Sequence, residues 1–195
     1  MFLMPGMIIA FYVTGTPLGA ARTAAMITYL RNHQQSDGGW GTHIECASTM
    51  FGTVLNYVSL RLLGVPAADR ACTQARDFIS ANRGALYTTS WAKFWLAVLG
   101  VYAWEGINSV PAEMWLLPLS TPFHPGRMWC HSRMVYLPMC YLYCARWSFP
   151  AAASDPTTAG EQLSSRDMQT HAGCCRAESS AQRRHARSSP VSDCQ

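Results

Sequence analysis

The sequence predicts an all-α fold, part of an α/α barrel or toroid, on three observations. Apolar residues recur at helical spacing through the first 149 positions. Polar helices alternate with helices that are apolar on nearly every face, and short Gly/Pro turns join them. All 22 aromatic residues lie at or before Phe149, so only this part of the chain can build a packed site.

The elements follow in order. Residues 1–13 are apolar but lack a basic start, and Pro5-Gly6 should break the run early. Residues 22–33 form an amphipathic helix with Met26, Tyr29 and Leu30 on one stripe, stopped by Asp37-Gly38-Gly39. Ser48 is the expected N-cap of a second helix carrying Phe51, Leu55, Val58 and Leu62, closed by Gly64 and Pro66. Asp69 caps a third, more polar helix running to about Asn82. Ser90 should cap a fourth over residues 91–104, apolar almost all round and therefore expected at the core. A loop over 108–127 carries Pro111, Pro118, Pro122 and Pro125. The last helix, about 128–147, contains Pro138, which should kink or restart it. Residues 150–195 are rich in Ala, Ser, Arg, Gln and Thr, with five acids and five arginines. Such a segment buries too little apolar surface to offset chain entropy, so 1–149 is expected to fold and 150–195 to be a disordered tail.

Composition narrows the function classes. Hydrophobic residues make up 49% and charged residues 13% of the 195 positions, about half the usual charged share. The net charge of +4 comes almost wholly from arginine, since Lys93 is the sole lysine. The arginines of the first 149 residues are scattered, and without a basic stripe nucleic acid is excluded as a partner. No run reaches the roughly 18 uninterrupted apolar residues of a spanning helix. The eight cysteines fit no disulfide framework and are read as buried thiols. His131, Cys140 and Cys144 have metal-like spacing but no second paired cluster, so no metal site is expected.

The sharpest local signal spans residues 29–40, with the form aromatic-Leu-x3-Gln-x3-Gly-x-Trp: Tyr29, Leu30, Gln34, Gly38 and Trp40. The glycines permit a tight turn at a helix end, the Gln34 amide can bond backbone groups of that turn, and the indole can pack across it. This resembles the QW motif of the triterpene cyclases, a stabilising device rather than a catalytic one. The resemblance extends along the chain. Asp37-Gly-Gly-Trp-Gly-Thr-His-Ile-Glu45, Phe51-Gly-Thr-Val-Leu-Asn-Tyr-Val-Ser-Leu-Arg61 and Ser90-Trp-Ala-Lys-Phe-Trp-Leu-Ala-Val-Leu99 are similar to consecutive blocks of eukaryotic 2,3-oxidosqualene cyclases. So are Trp104-Glu-Gly-Ile-Asn108, Pro111-Ala-Glu-Met-Trp-Leu116 and Trp129-Cys-His-Ser-Arg-Met-Val-Tyr-Leu-Pro-Met139, covering about residues 2–147.

The resemblance implies an α/α toroid of the triterpene cyclase type that protonates an epoxide and guides carbocations to a sterol skeleton. It implies an oxidosqualene-like lipid substrate, no metal and no organic cofactor. It also implies peripheral contact with the endoplasmic reticulum membrane or a lipid droplet. Cations in an apolar cavity need aromatic faces, which attract without capturing them. By that resemblance Trp91 and Trp129 match cavity-lining aromatics, and His131 matches the histidine proposed as final proton acceptor. Tyr136 matches a residue at the constriction of the substrate channel, with Ser132 beside it where many members carry cysteine. Taken alone, His131 reads as a core histidine and the tryptophans as core; Trp40, Trp95, Trp104 and Trp115 keep that structural reading.

One departure is decisive for activity. The resemblance implies that the general acid is the aspartate of an Asp-Cys-Thr-Ala-Glu motif, and this chain has none. The expectation is therefore a fragment of a cyclase, inactive alone, with a tail that resembles nothing in the family. The alternatives are a non-enzymatic helical protein that binds a lipid or partner, and a prenyltransferase-like toroid that would need zinc.

Overall fold

A computed structural model describes residues 2–150; the expected disordered tail lies, beyond Pro150, outside the described residues. The described residues are all-α, with no strand among them. Six helices are α1 (Leu3–Val13), α2 (Ala20–Asn32), α3 (Met50–Leu62), α4 (Arg70–Ala81), α5 (Ser90–Val98) and α6 (Cys130–Ala145). Four short 3-10 turns lie between α4 and α6.

Helix α3 is the hub, packed by α1 and α4 and touched by α2 and α5. Residues 52–61 are buried without interruption, although Thr53, Asn56, Ser59 and Arg61 are polar. Each finds a backbone partner, which offsets most of the cost of burial, although Asn56 Oδ1 is buried without one. Asn56 Nδ2 donates to Gly52 O at 2.8 Å, Ser59 Oγ to Leu55 O at 2.8 Å, and Arg61 Nη1 to Val65 O at 2.6 Å. Thr53 Oγ1 accepts from Trp40 N at 3.0 Å. Val54, Val58 and Leu60 complete the core with Ile9, Leu30, Trp40, Ala75 and Leu96. Helix α5 is buried as its apolar composition predicts, at Ala92, Phe94, Leu96, Ala97 and Val98, but it is α3 that the other helices surround, with most of its polar groups bonded within or beside the helix.

Several boundaries differ from expectation for identifiable reasons. Pro5 and Gly6 do not break α1, because Pro5 sits in the first turn, where amides lack helical partners anyway. Thr49, not Ser48, caps α3: its Oγ1 accepts from Gly52 N at 3.0 Å, while Ser48 Oγ donates to Asp37. Asp69 caps α4 as expected, its Oδ1 accepting from Ala71 N at 3.0 Å. Ser90 is the first residue of α5 and accepts from Asn108 Nδ2 at 2.8 Å rather than capping the helix. That helix ends at Val98, followed by Gly100 at φ 75°. Trp104 then lies in a 3-10 turn.

The end of α5 is closed by the chain that follows α6. Ser148 Oγ donates to Ala97 O at 2.8 Å and Phe149 N to Val98 O at 2.7 Å, taking carbonyls that α5 leaves free. Trp104 Nε1 donates to Ser148 Oγ at 3.0 Å, and Arg146 Nη1 to Trp104 O at 3.1 Å. Beneath these bonds Phe94, Val98 and Trp104 form a second cluster with Met139, Leu142 and Tyr143 of α6. Pro138 does not restart α6. The Met134 carbonyl that it deprives of a donor lies on an exposed stretch of the helix.

The cysteine expectation is corrected. Among the described residues Cys72 and Cys140 are buried, whereas Cys46, Cys130 and Cys144 are exposed. The last two stand on the outer side of α6, and Cys46 on a surface turn. Burial, reinforced by Asp69, raises the Cys72 thiol to about 11. At pH 8 that leaves about one molecule in a thousand as the reactive thiolate. Iodoacetamide at pH 8, read by mass spectrometry, should therefore label Cys46, Cys130 and Cys144 before Cys72. Early labelling of Cys72 would show that α4 opens from α3.

A glycine prediction reverses the usual sign. Replacing a helix-interior glycine with alanine normally stabilises by about 0.5–1 kcal/mol. At Gly52 the added Cβ would strike the Trp40 carbonyl oxygen and lie 3.0 Å from that of Gly41. Gly52→Ala should instead destabilise by about 1–3 kcal/mol in urea unfolding; an unchanged or raised midpoint would disprove the close approach.

Candidate functional site

Two sites emerge, one structural and one with chemical potential. The first is the turn between α2 and α3. Gln34 Nε2 donates to Gly38 O at 2.8 Å and to Ala71 O at 2.9 Å, so one amide ties the turn to the start of α4. Gly38 adopts φ 84°, a left-handed conformation that glycine takes without a Cβ penalty. Trp40 is fully buried, and its Nε1 donates to Leu30 O at 2.9 Å. Asp37 Oδ1 accepts from Gly39 N at 2.9 Å and Ser48 Oγ at 2.7 Å. Arg31 pairs with Asp69 at 2.6 Å across the same junction. Tyr29 is exposed and stacks near His33, with centroids 4.1 Å apart. An open polar groove beside this turn is lined by Arg31, Gln34, Asp69 and Gln74 among others, and none of the aromatic candidates reaches it.

The second site is the amino-terminal half of α6 with the loop that feeds it. Trp129, directly before the helix, is 71% exposed, and the His131 ring stacks on it at 4.3 Å and 29°. His131 Nδ1 lies 3.1 Å from Cys130 Sγ. Ser132 is exposed on the same turn. Tyr136 points the other way: its hydroxyl donates to Pro111 O at 2.7 Å and lies 3.4 Å from Met114 Sδ. Partial burial, then the neighbouring Cys140 thiol and Glu113 carboxylate, push the Tyr136 phenol up to about 12. It therefore remains a protonated donor throughout the neutral range.

The candidates are only partly brought together. Trp129, His131, Ser132 and Tyr136 share one end of α6. Trp91 belongs to α5, is 36% exposed, and meets Trp95 edge-on at 6.1 Å. Among the described residues no ring contact joins Trp91 to the Trp129–His131 pair. Trp40 and Trp104 are buried, while Trp95 and Trp115 are half-buried. No three of His, Cys, Asp or Glu converge among the described residues.

Sequence reasoning missed a cluster beneath Tyr136. Trp115 lies 6.2 Å from the Tyr136 ring and meets the buried His124 edge-on at 6.1 Å. His124 Nδ1 accepts from Gly126 N at 2.9 Å, capping the short turn Pro125–Arg127. The signal was present in His124-Pro125-Gly126, where an acceptor precedes a proline able to start a helical turn.

Comparison with known proteins places these helices. Residues 4–186 match the squalene-hopene cyclase N-terminal domain, a match that runs past the compositional boundary at Pro150. The chain is 54% identical over 151 residues to the cycloartenol synthase of Dictyostelium discoideum, covering 77% of this chain and 22% of that protein. It is 52% identical over 156 residues to the lanosterol synthase of Homo sapiens, covering 80% and 21%. To the lanosterol synthase of Gibberella zeae it is 51% identical over 150 residues, covering 76% and 20%. The chain thus spans about a fifth of the length of the curated relatives it matches.

The Tyr136 bond has a measurable consequence. In Tyr136→Phe the Pro111 carbonyl keeps only Cys140 Sγ at 3.9 Å, a loss worth about 1 kcal/mol. Amide exchange across residues 111–116 should accelerate about fivefold while α3 amides stay protected. Unaltered exchange would show that other contacts hold the loop.

Proposed function

The chain belongs to the squalene-hopene cyclase family through its N-terminal domain, and from that premise we propose that it is one part of an oxidosqualene cyclase. Its identity of about half to lanosterol and cycloartenol synthases supports a triterpenoid-forming parent acting on an oxidosqualene-like lipid. The observation that carries the site reading is the exposed stack of Trp129 and His131. An indole face held open at a helix end can stabilise a passing carbocation, by about 2 kcal/mol when desolvated. The neighbouring imidazole can accept the proton that ends such a cascade. With Nδ1 against Cys130 Sγ, Nε2 is the nitrogen assigned to that proton.

Ser132 and Tyr136 are assigned to the channel leading to this stack, with Trp91 as a second aromatic wall. The turn built from Tyr29, Leu30, Gln34, Gly38 and Trp40 is assigned as a QW motif: its amide and indole bonds are those such a tie requires. Exposed Leu116, Leu119 and Phe123 in the loop before α6 support peripheral contact with a membrane, at the endoplasmic reticulum or a lipid droplet.

The chain alone does not start the reaction. Epoxide opening needs a strong acid aimed at the ring oxygen. Asp37 serves its own turn and Asp69 holds Arg31 and Ala71, while no Asp-Cys-Thr-Ala-Glu motif exists in the sequence. A non-enzymatic lipid- or partner-binding role is the second reading, favoured by the exposed apolar residues around α6.

Purified chain incubated with 2,3-oxidosqualene in detergent should yield no cyclised product by gas chromatography with mass spectrometry. Any sterol or triterpenoid above the level of a His131→Ala control would overturn the inactive-part reading.

A further inference from the structure

The start of α6 sets three exposed side chains in sequence, Trp129, Cys130 and His131, and the first two fix the third. Trp129 stacks on the His131 ring with centroids 4.3 Å apart and planes inclined by 29°, which settles the plane of the imidazole. It does not settle which edge of the ring stands where. Turning the ring by half a revolution about its bond to Cβ keeps the plane and the stack. The turn exchanges Nδ1 with Cδ2 and Nε2 with Cε1. A group that distinguishes nitrogen from carbon is needed to choose between the two orientations. Cys130 Sγ, 3.1 Å from Nδ1, is that group, because in the turned ring it would meet a carbon. No other hydrogen bond to the His131 side chain occurs among the described residues.

The same contact selects a tautomer. A neutral imidazole carries its hydrogen on one nitrogen and a lone pair on the other, and a thiol can donate or accept. With Sγ–H donating to Nδ1, the ring hydrogen would sit on Nε2, and that nitrogen could take no proton. With Nδ1–H donating to Sγ, Nε2 is bare. The second arrangement also needs no change when a proton arrives. Both nitrogens of an imidazolium are donors, and the sulfur is already accepting. We propose that Cys130 is a positioning residue for His131: its sulfur accepts Nδ1–H, chooses the ring orientation and leaves the Nε2 lone pair free as the base. In the closing step a C–H bond of the cation breaks, its electron pair becomes a carbon–carbon double bond, and Nε2 takes the proton. This rests on the reading of His131 above as the final proton acceptor.

Two other histidines serve as references. His33 Nδ1 lies 2.8 Å from the Tyr29 carbonyl oxygen and must carry the hydrogen, whereas His124 Nδ1 accepts from Gly126 N and must be bare. The test records long-range proton–nitrogen correlation spectra of the whole chain with isotope-labelled histidine. A pH of about 7.5 lies between the ordinary histidine and cysteine values, so ring and thiol are both mostly neutral. His131→Gln assigns the signal. His131 should show the pattern of His33, with its hydrogen on Nδ1. In Cys130→Ala the ratio of Nδ1–H to Nε2–H forms should fall about fivefold, the effect of one hydrogen bond, while His33 and His124 stay unmoved. Cys130→Ser, whose hydroxyl also accepts, should recover most of that ratio. The proposal is overturned if His131 shows the His124 pattern in the unaltered chain, since the thiol would then be donating. It is equally overturned if Cys130→Ala leaves the ratio unchanged, or disturbs His33 and His124 to the same extent. The spectra need no substrate, so their outcome and that of the oxidosqualene assay fail separately.

Discussion

The structure depends on one close approach, that of the Trp40 backbone to the first turn of α3. Thr49 N donates to Trp40 O at 3.0 Å, and Trp40 N donates to Thr53 Oγ1 at 3.0 Å. The absence of a side chain at Gly52 lets the two backbones meet. With the backbone so fixed, the indole has one place to go, against Leu30 at the end of α2. Gln34 then fastens the same turn to α4. Three helices are thereby indexed by a segment of about ten residues, and α3 is driven into the centre. Hydrogen bonds in such a dry junction are individually modest, but each orphaned partner would cost more than the bond contributes. The junction is therefore cooperative.

This explains why an apparently ordinary helix became the core. In the sequence α3 carries glycine, threonine, asparagine, serine and arginine, which argue for a surface. The polar atoms named above bond to carbonyls four residues away or to the Trp40 amide, which offsets most of the burial cost and leaves Asn56 Oδ1 as the exception. Pattern reasoning scores residue types and not partners, so it finds the burial of the uniformly apolar α5 but not the continuous burial of residues 52–61 in α3. Yet α5 keeps Trp91 partly exposed, and Ser148 and Phe149 supply hydrogen bonds to carbonyls at its far end.

Much was legible before any coordinates. Helix order, the Asp69 cap and the Gln34–Trp40 turn follow from local chemistry that acts within a few residues. What escaped the sequence depends on contacts across long separations. Ser148 meets Ala97 and Trp104, and Tyr136 meets Pro111. Nothing local marks these pairs. Pro138 misled for a related reason: its cost depends on where the orphaned Met134 carbonyl faces. The site candidates were legible as types, but the separation of Trp91 from Trp129 was not.

Helix α6 shows how one element can be both finished and unfinished. Its inner side is fixed by the Tyr136 bond, the Met139–Tyr143 packing and the Arg146 contact with Trp104. These give the Trp129–His131 stack a fixed base. A stack needs desolvation to act on a cation, because water screens the ring quadrupole and would quench a carbocation. Here both residues are exposed, so under the proposed reading the stack gains its full effect on a cation only when a further apolar surface shields it from water.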